Sequence, residues 1–463
     1  LPVFIAGLLV ITYACACTPA GTSGVNEIVV DWGDDEPGDD SGNPVDPPED
    51  PEDPPVTPPD DPEPSGPVAR CRVSDGSGYD SADEKIIRNR AKIYSEIGVN
   101  HVRWGMVWPR FEVAEGSWKN LSFQPFKYLK IMTEEFGMKI TFIPNIASDV
   151  PSWMKQAHPD CYLKSNDGLD GCLSYWYPGF MDVVKAKTET MIAKMKAAGI
   201  WDYVDLVEPA LGMAGEPIYP PAWTMGLSEE KFWCYDENAI KDFRAKMEAK
   251  YSSITLANTK WSTSFASWDD VTVYQPGKKK GKYWEDVLTW YRDTKREKVI
   301  EILDYYKEIL EGTGKHVLIN VPGVQYTASE WNSAINSVNG GNGAIRIMND
   351  SDFLLDWACE NGEYVEYTGL GPGSSNVAEI TRIVTYIRSK GYDNPVWAEN
   401  VGDEGTASQI DNLKQQVLGN KLYGFDYTHA HFLFNSDGTL IEDRANKLKS
   451  LYEELNKMWE DEE

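Results

Sequence analysis

Metal-ligating side chains are scarce in this sequence. The chain has 463 residues but only 5 histidines, and its 7 cysteines form no CxxC pair. No HExxH-type pair occurs either, so the usual zinc-site spacings are excluded, and we expect neither a metal nor a cofactor. Positive charge is also in short supply, with 44 Lys and Arg against 73 Asp and Glu and a net charge of −29. Such a balance argues against nucleic acid and against direct binding to anionic membrane surfaces. A neutral polymer is the more natural ligand.

What is present begins with an apolar run, LPVFIAGLLVITYACAC. Its apolar core of about 14 residues suits a signal-peptide h-region and is too short for a convincing membrane span. The following Ala14-Cys15-Ala16-Cys17 resembles a bacterial lipobox, which makes Cys17 the candidate lipidation site. We therefore expect a leader over residues 1–17 and an exported protein. A lipid anchor would hold it in a bacterial cell envelope, at the outer-membrane surface or in the periplasm. The membrane is expected as a partner only through that anchor.

Residues 31–66 are almost entirely Asp, Glu, Pro, Gly and Ser, with 14 acidic and no basic residues. Nothing there buries enough apolar surface to offset ordering entropy, so residues 18–66 are expected to be a disordered linker. Proline and charge repulsion would extend it to on the order of 100 Å. Of the remaining cysteines, Cys161 and Cys172 bracket a polar loop, CYLKSNDGLDGC. They form a candidate disulfide in an oxidising compartment.

Residues 67–463 are expected to be one catalytic unit. Strand-like runs recur at Ala69–Val73, His101–Trp104, Lys139–Pro144, Tyr203–Val207, His316–Val321, Tyr364–Tyr367, Pro395–Ala398 and Leu422–Tyr427. Amphipathic stretches such as Ser81–Ile97, Gly179–Ala198, Tyr283–Glu311 and Asn376–Lys390 separate them. Eight strands alternating with helices predict an α/β protein, a (β/α)8 TIM barrel. A long insertion, rich in tryptophan and tyrosine, follows strand four.

Two of these strands lead to glutamates. DYVDLVEPALGMAGEPIYPP carries Glu208 and Glu216, and NPVWAEN carries Glu399, 183 positions beyond Glu216. A buried carboxylate is costly unless it is solvated, paired or used for chemistry. In a parallel barrel, strand ends distant in sequence meet at one face, and a pair of carboxylates there is what glycosidic cleavage uses.

The blocks GVNHVRWGMVWPRFEVAEGSW, FGMKITFIPNIASDVPSWM, FRAKMEAKYSSITLANTKWSTSFASWDDV, NPVWAEN and LYGFDYTHAHFLF resemble, in that order, segments of family 42 glycoside hydrolases. These are clan A relatives of β-galactosidases. The resemblance implies a retaining β-glycosidase, with Glu399 as nucleophile and an acid/base glutamate at the end of strand four. The family places an asparagine before that glutamate, whereas this chain reads Val207-Glu208-Pro209. Eight residues on, LGMAGEPIYP is similar to the β-amylase segment whose glutamate is the general acid. On that basis Glu216 is the acid/base candidate and Glu208 a supporting carboxylate. The expected substrate is an oligo- or polysaccharide.

Further candidates for sugar contact surround this pair. Asp75 follows strand one, Arg103 lies on strand two, and Asn145 and Asn320 end strands three and five. Trp108, Trp153, Tyr219, Trp223 and Trp397 are candidate stacking platforms. Asp426, His429 and His431 leave strand eight, with the two histidines on one face if the strand continues. Besides the retaining enzyme, two readings stay open: an inverting β-amylase-like glucan hydrolase and a non-catalytic surface barrel that binds glycans.

Overall fold

The computed structural model describes residues 69–74, 83–273, 281–400 and 406–460. The leader 1–17 with Cys17, the segment 18–66 and Asp75 lie outside these residues.

Eight strands close into a barrel in which each pairs in parallel with its neighbours in chain order. They are β1 (Cys71–Ser74), β2 (His101–Val107), β3 (Lys139–Asn145) and β4 (Val204–Val207). The other four are β5 (His316–Val321), β6 (Tyr364–Leu370), β7 (Val396–Asn400) and β8 (Gly424–Thr428). One helix packs outside after each strand. These are α1 (Glu84–Glu96), α2 (Gln124–Lys130), α3 (Phe180–Ala197), α4 (Lys282–Leu310), α5 (Asp352–Asn361), α6 (Ser374–Ser389), α7 (Ala407–Gly419) and α8 (Glu442–Glu460). The (β/α)8 expectation holds, including the long insertion after β4.

Local chemistry sets several boundaries. The Asp83 carboxylate accepts from the Lys85 N–H at 2.9 Å and starts α1. Thr406 and Gln409 form a reciprocal capping box at the start of α7. In the insertion, Tyr219 lies flat on Tyr291 of α4 at 3.9 Å between ring centroids, and Phe243 packs on Trp290 at 5.0 Å. Aromatic area thus fixes the excursion to the longest helix.

Strand alternation divides the barrel residues. Phe142 of β3 and Trp104 of β2 stack on each other on the helix side, while Arg72, Thr141, Glu366 and Asp426 face inward. The disulfide expectation fails. Cys161 and Cys172 are both buried free thiols beside the hairpin Tyr162–Lys164 and Asp170–Leu173. Tyr162 pairs with Leu173, and the Ser174 N–H donates to the Cys161 carbonyl at 2.8 Å, so Cys161 stands opposite Ser174 rather than Cys172.

Candidate active site

The barrel interior changes character along its axis. At the N-terminal end Leu206, Leu318, Tyr364 and Trp397 form a small apolar cluster. Above it Arg72 lies over the Trp397 ring at 4.6 Å and binds downstream carboxylates. Its Nε is 3.1 Å from Asp426 Oδ2, its Nη2 contacts Glu366, and its Nη1 donates to Thr141 Oγ1 at 2.9 Å. The Ser74 hydroxyl donates to Asp426 Oδ2 at 2.6 Å.

At the C-terminal mouth Arg103 is the hub. It grips Glu208 with two donors, Nε to Oε2 at 2.6 Å and Nη2 to Oε1 at 2.5 Å. Its Nη1 contacts Glu399 Oε2. Glu208 also accepts from Asn320 Nδ2 at 2.6 Å, and Thr428 Oγ1 donates to Glu399 Oε2 at 3.3 Å. Glu208 is fully buried, whereas Glu399 keeps 7 % exposure at the mouth. Only the second is open to a ligand.

Glu216 reaches the same mouth by a tight turn. After β4 the chain doubles back through a 3-10 turn at Met213–Gly215, with the Glu216 N–H donating to the Met213 carbonyl at 3.3 Å. A side chain at Gly212 would put its Cβ 2.5 Å from the Ile218 carbonyl oxygen, so that position admits only glycine. Gly215 adopts a left-handed φ of +82°. The turn leaves Glu216 half-buried, with Oε1 accepting from Thr368 Oγ1 at 2.5 Å. Burial pushes its carboxyl up to about 7 and the negative Glu208 adds to this, while Thr368 and Arg103 pull the other way. The Arg103 hub thus acts on both Glu216 and Glu399.

The other residues singled out from the sequence divide sharply. Asn145 is half-buried at the end of β3 and accepts from the Ser148 hydroxyl. Trp153 is half-buried, its indole N–H donating to the Glu112 carbonyl at 3.2 Å. Trp223 is 47 % exposed on the short helix Ala222–Met225. His429 and His431 follow β8, with ring planes 18° apart and centroids at 5.6 Å. The strand ends at Thr428, so a turn rather than alternation brings them together. Burial lowers His429 to about 4.

Five candidate platform or hydroxyl contacts are instead buried. Trp108 is fully buried and gives its indole N–H to Glu112. Tyr219 is fully buried, its hydroxyl donating to the Tyr291 carbonyl at 2.8 Å. Trp397 belongs to the apolar floor, not the mouth. Asp426 is fully buried below the mouth and engaged by Arg72 and Ser74. Asn320, at 1 % exposure, serves Glu208 rather than an open pocket.

Arg72, Glu366, Thr368 and Thr428 were not singled out from the sequence. A period-two pattern of Tyr364, Glu366 and Thr368 through β6 was the available signal. Glu366, Glu399 and Asp426 each bring an oxygen within 4.8 Å of the others, a donor set able to hold a cation. Here Arg72 and Arg103 supply the positive charge.

A closed (β/α)8 barrel with carboxyl groups gathered around an arginine at its C-terminal mouth has the architecture of a glycosidase. A profile of glycosyl hydrolase family 14 matches residues 195–455, more than half of the chain. The chain belongs to glycosyl hydrolase family 14. It is 25% identical over 353 residues to the thermophilic beta-amylase of Thermoanaerobacterium thermosulfurigenes, covering 69% of this chain and 61% of that protein. This chain thus spans a little under two thirds of the length of that relative.

Among solved structures, the catalytic domain of beta-amylase from Paenibacillus polymyxa superposes with a TM-score of 0.67 at 18% identity, over 84% of this chain and 100% of that one. The beta-galactosidase of Marinomonas ef1 superposes at 0.58 with 13% identity, over 84% of this chain and 60% of that one. The family 42 resemblance is supported in part: the barrel is shared, and the beta-galactosidase LacZ of Heyndrickxia coagulans is 25% identical over 213 residues, 42% of this chain and 28% of that protein. The family 14 match over residues 195–455 contains the β-amylase-like segment after β4.

Proposed function

We propose that this protein is an inverting glucan hydrolase of the β-amylase kind. In this reading Glu216 is the general acid, Glu399 the general base and Glu208 a supporting carboxylate. The observation that carries it is the placement of Glu216 at the mouth, on the tight turn through Gly212 and Gly215 that likens this chain to β-amylases and against the Thr368 hydroxyl. A general acid must hold its proton at working pH, and burial raises this carboxyl in that direction, to about 7.

Glu216 gives its proton to the glycosidic oxygen as the bond to the anomeric carbon breaks. A water on the opposite face loses its proton to Glu399 and forms the new bond, inverting the anomeric centre. Arg103 favours the anion of Glu399 and ties it to Glu208, so one guanidinium sets the spacing of two carboxylates. The retaining β-galactosidase-like reading would instead make Glu399 a nucleophile. Incubation with starch and with β-galactosides, followed by NMR of the first-formed anomer, separates the two. A β-anomer released from starch supports inversion. Net retention on a β-galactoside would replace this reading with the other, and no hydrolysis of any glycan would favour a binding barrel.

Residues 67–463 are proposed as the catalytic unit, because the barrel closes within them. Export with a lipid anchor at Cys17 is proposed on the lipobox-like sequence alone. The acidic segment 18–66 would then act as a tether.

A further inference from the structure

Five carboxyl groups crowd the upper barrel, namely Glu208, Glu216, Glu366, Glu399 and Asp426, and two guanidinium groups, Arg72 and Arg103, face them. Two imidazoles border this region, His101 on β2 below and His429 beyond β8. Burial lowers both to about 4, so neither adds positive charge near neutrality. Within the group, oxygens of Glu366, Glu399 and Asp426 all lie within 4.8 Å of one another. Three negative charges that close repel strongly, so the trio retains a proton that belongs to the group as a whole.

The hydrogen bonds decide where that proton rests. Glu399 Oε2 takes donors from Arg103 and Thr428, both of which favour an anion. Asp426 Oδ2 takes Ser74 at 2.6 Å and lies 3.1 Å from Arg72 Nε. Glu366 takes only Arg72, on Oε1. Its Oε2 is buried and has no hydrogen-bond partner among the described residues, and the same is true of Asp426 Oδ1. An ionised carboxylate offers acceptors alone, while a protonated one gains an O–H donor. A proton on Glu366 Oε2 removes the cost of a buried, unpaired anionic oxygen.

We propose that Glu366 is a proton-holding positioning residue: it stays neutral beneath Glu399, so that Glu399 remains the charged carboxylate that Arg103 aims into the pocket. Arg72 keeps Asp426 as its counter-ion in that state. Burial raises both carboxyls, Glu366 to about 7 and Glu399 also well above its ordinary value with Arg103 opposing, so the hydrogen bonds rather than burial assign the proton to Glu366.

The proposal rests on Glu399 being the base, so its test reads the proton rather than turnover. Infrared spectra of the full chain at pH 6 should contain a protonated-carboxyl band that Glu366→Gln removes and Glu399→Gln leaves. Glu216→Gln should remove a separate band. A band lost in Glu399→Gln and kept in Glu366→Gln would put the proton on Glu399 and overturn the proposal. Melting temperature gives a second measurement. A carboxyl raised in the folded state stabilises below its unfolded value and loses that contribution as pH rises through the folded one. The wild-type melting temperature should therefore fall between pH 5 and 8, and Glu366→Gln should flatten that fall. An equal drop at every pH would show Glu366 to be an ionised partner of Arg72. Should Glu366→Gln fail to fold, the Glu399→Gln spectrum still decides the question.

Discussion

At the N-terminal end of the barrel Leu206, Leu318, Tyr364 and Trp397 fill the interior with apolar surface. Two residues further along the same four strands, or just past their ends, stand Glu208, Asn320, Glu366 and Glu399. One step of the strand period moves the interior from hydrocarbon to carboxylate. The lower layer behaves as an ordinary barrel core, where the stabilisation comes from area removed from water. The upper layer buries charge, which is tolerated because Arg72 and Arg103 are buried with it. Stability and chemistry are thus stacked along one axis, and variants in the two layers should fail differently.

The largest effect should come from the mouth. Glu216→Gln is expected to lower kcat on glucans by roughly 10²–10⁴-fold, the usual contribution of a positioned acid. The loss should be smaller on activated aryl glycosides, whose leaving groups need little protonation. Melting temperature should barely change, since the amide still accepts from Thr368. Glu208→Gln should lose less and show no leaving-group dependence, because Glu208 is fully enclosed by Arg103 and Asn320. The reverse pattern would make Glu208 the acid.

Removing the hub should damage both layers. Arg103→Met leaves Glu208 and Glu399 without their shared cation, and breaking one side of a buried ion pair costs about 3–5 kcal/mol. Denaturant unfolding should record that loss, and adding Glu208→Gln should restore part of it. A loss unchanged in the double variant would mean that Arg103 acts through packing instead. The floor offers the contrasting case. Trp397→Ala removes a fully buried indole and should cost about 3–5 kcal/mol of stability. Molecules that remain folded should keep the pH dependence of kcat, which a mouth variant would not.

The sequence made the strands legible because a parallel barrel buries them on both sides, leaving short apolar runs between polar helices. All eight were found, with ends displaced by at most three residues. One of the two longest displacements hid chemistry. β6 runs on to Leu370 rather than stopping at Tyr367, because Thr368 and Gly369 look like loop residues when read alone. Only barrel closure reveals that Glu366 and Thr368 point toward a polar interior. Trp397 was misplaced for the converse reason, since an indole beside a glutamate suggests a sugar platform. Its true setting is written in the register, where it pairs with Gly424, and a Cβ there would lie 2.4 Å from the indole. That vacancy for the ring can be recognised once the two strands are known to be neighbours. Glu216 was readable because its glycine-rich turn leaves a local signature, and Arg103 because it lies in a strand-like run. The network joining them draws on five strands and has no local pattern.

The smallest effect should come from Thr368. Its hydroxyl lies 2.5 Å from Glu216 Oε1 and 3.2 Å from the Val321 carbonyl oxygen. It has one proton to give. When Glu216 is ionised, donation to the carboxylate stabilises the charge. When Glu216 is protonated, the acid donates to the hydroxyl, which turns to Val321. The hydroxyl lowers the Glu216 value because the bond to the anion is the stronger of the two. Thr368→Val keeps the shape of the side chain and removes that preference, so the carboxyl should hold its proton to higher pH. Activity that requires the protonated acid falls as pH rises through about 7. In the variant this alkaline limb should move upward by less than about one unit, since a single hydrogen bond is worth roughly 0.5–1.5 kcal/mol. The acid limb should stay where it is. A pH profile of kcat on a soluble glucan reads both limbs at once. A downward move of the alkaline limb would mean that Thr368 supports the neutral acid instead, and a shift confined to the acid limb would remove Glu216 from the role of acid.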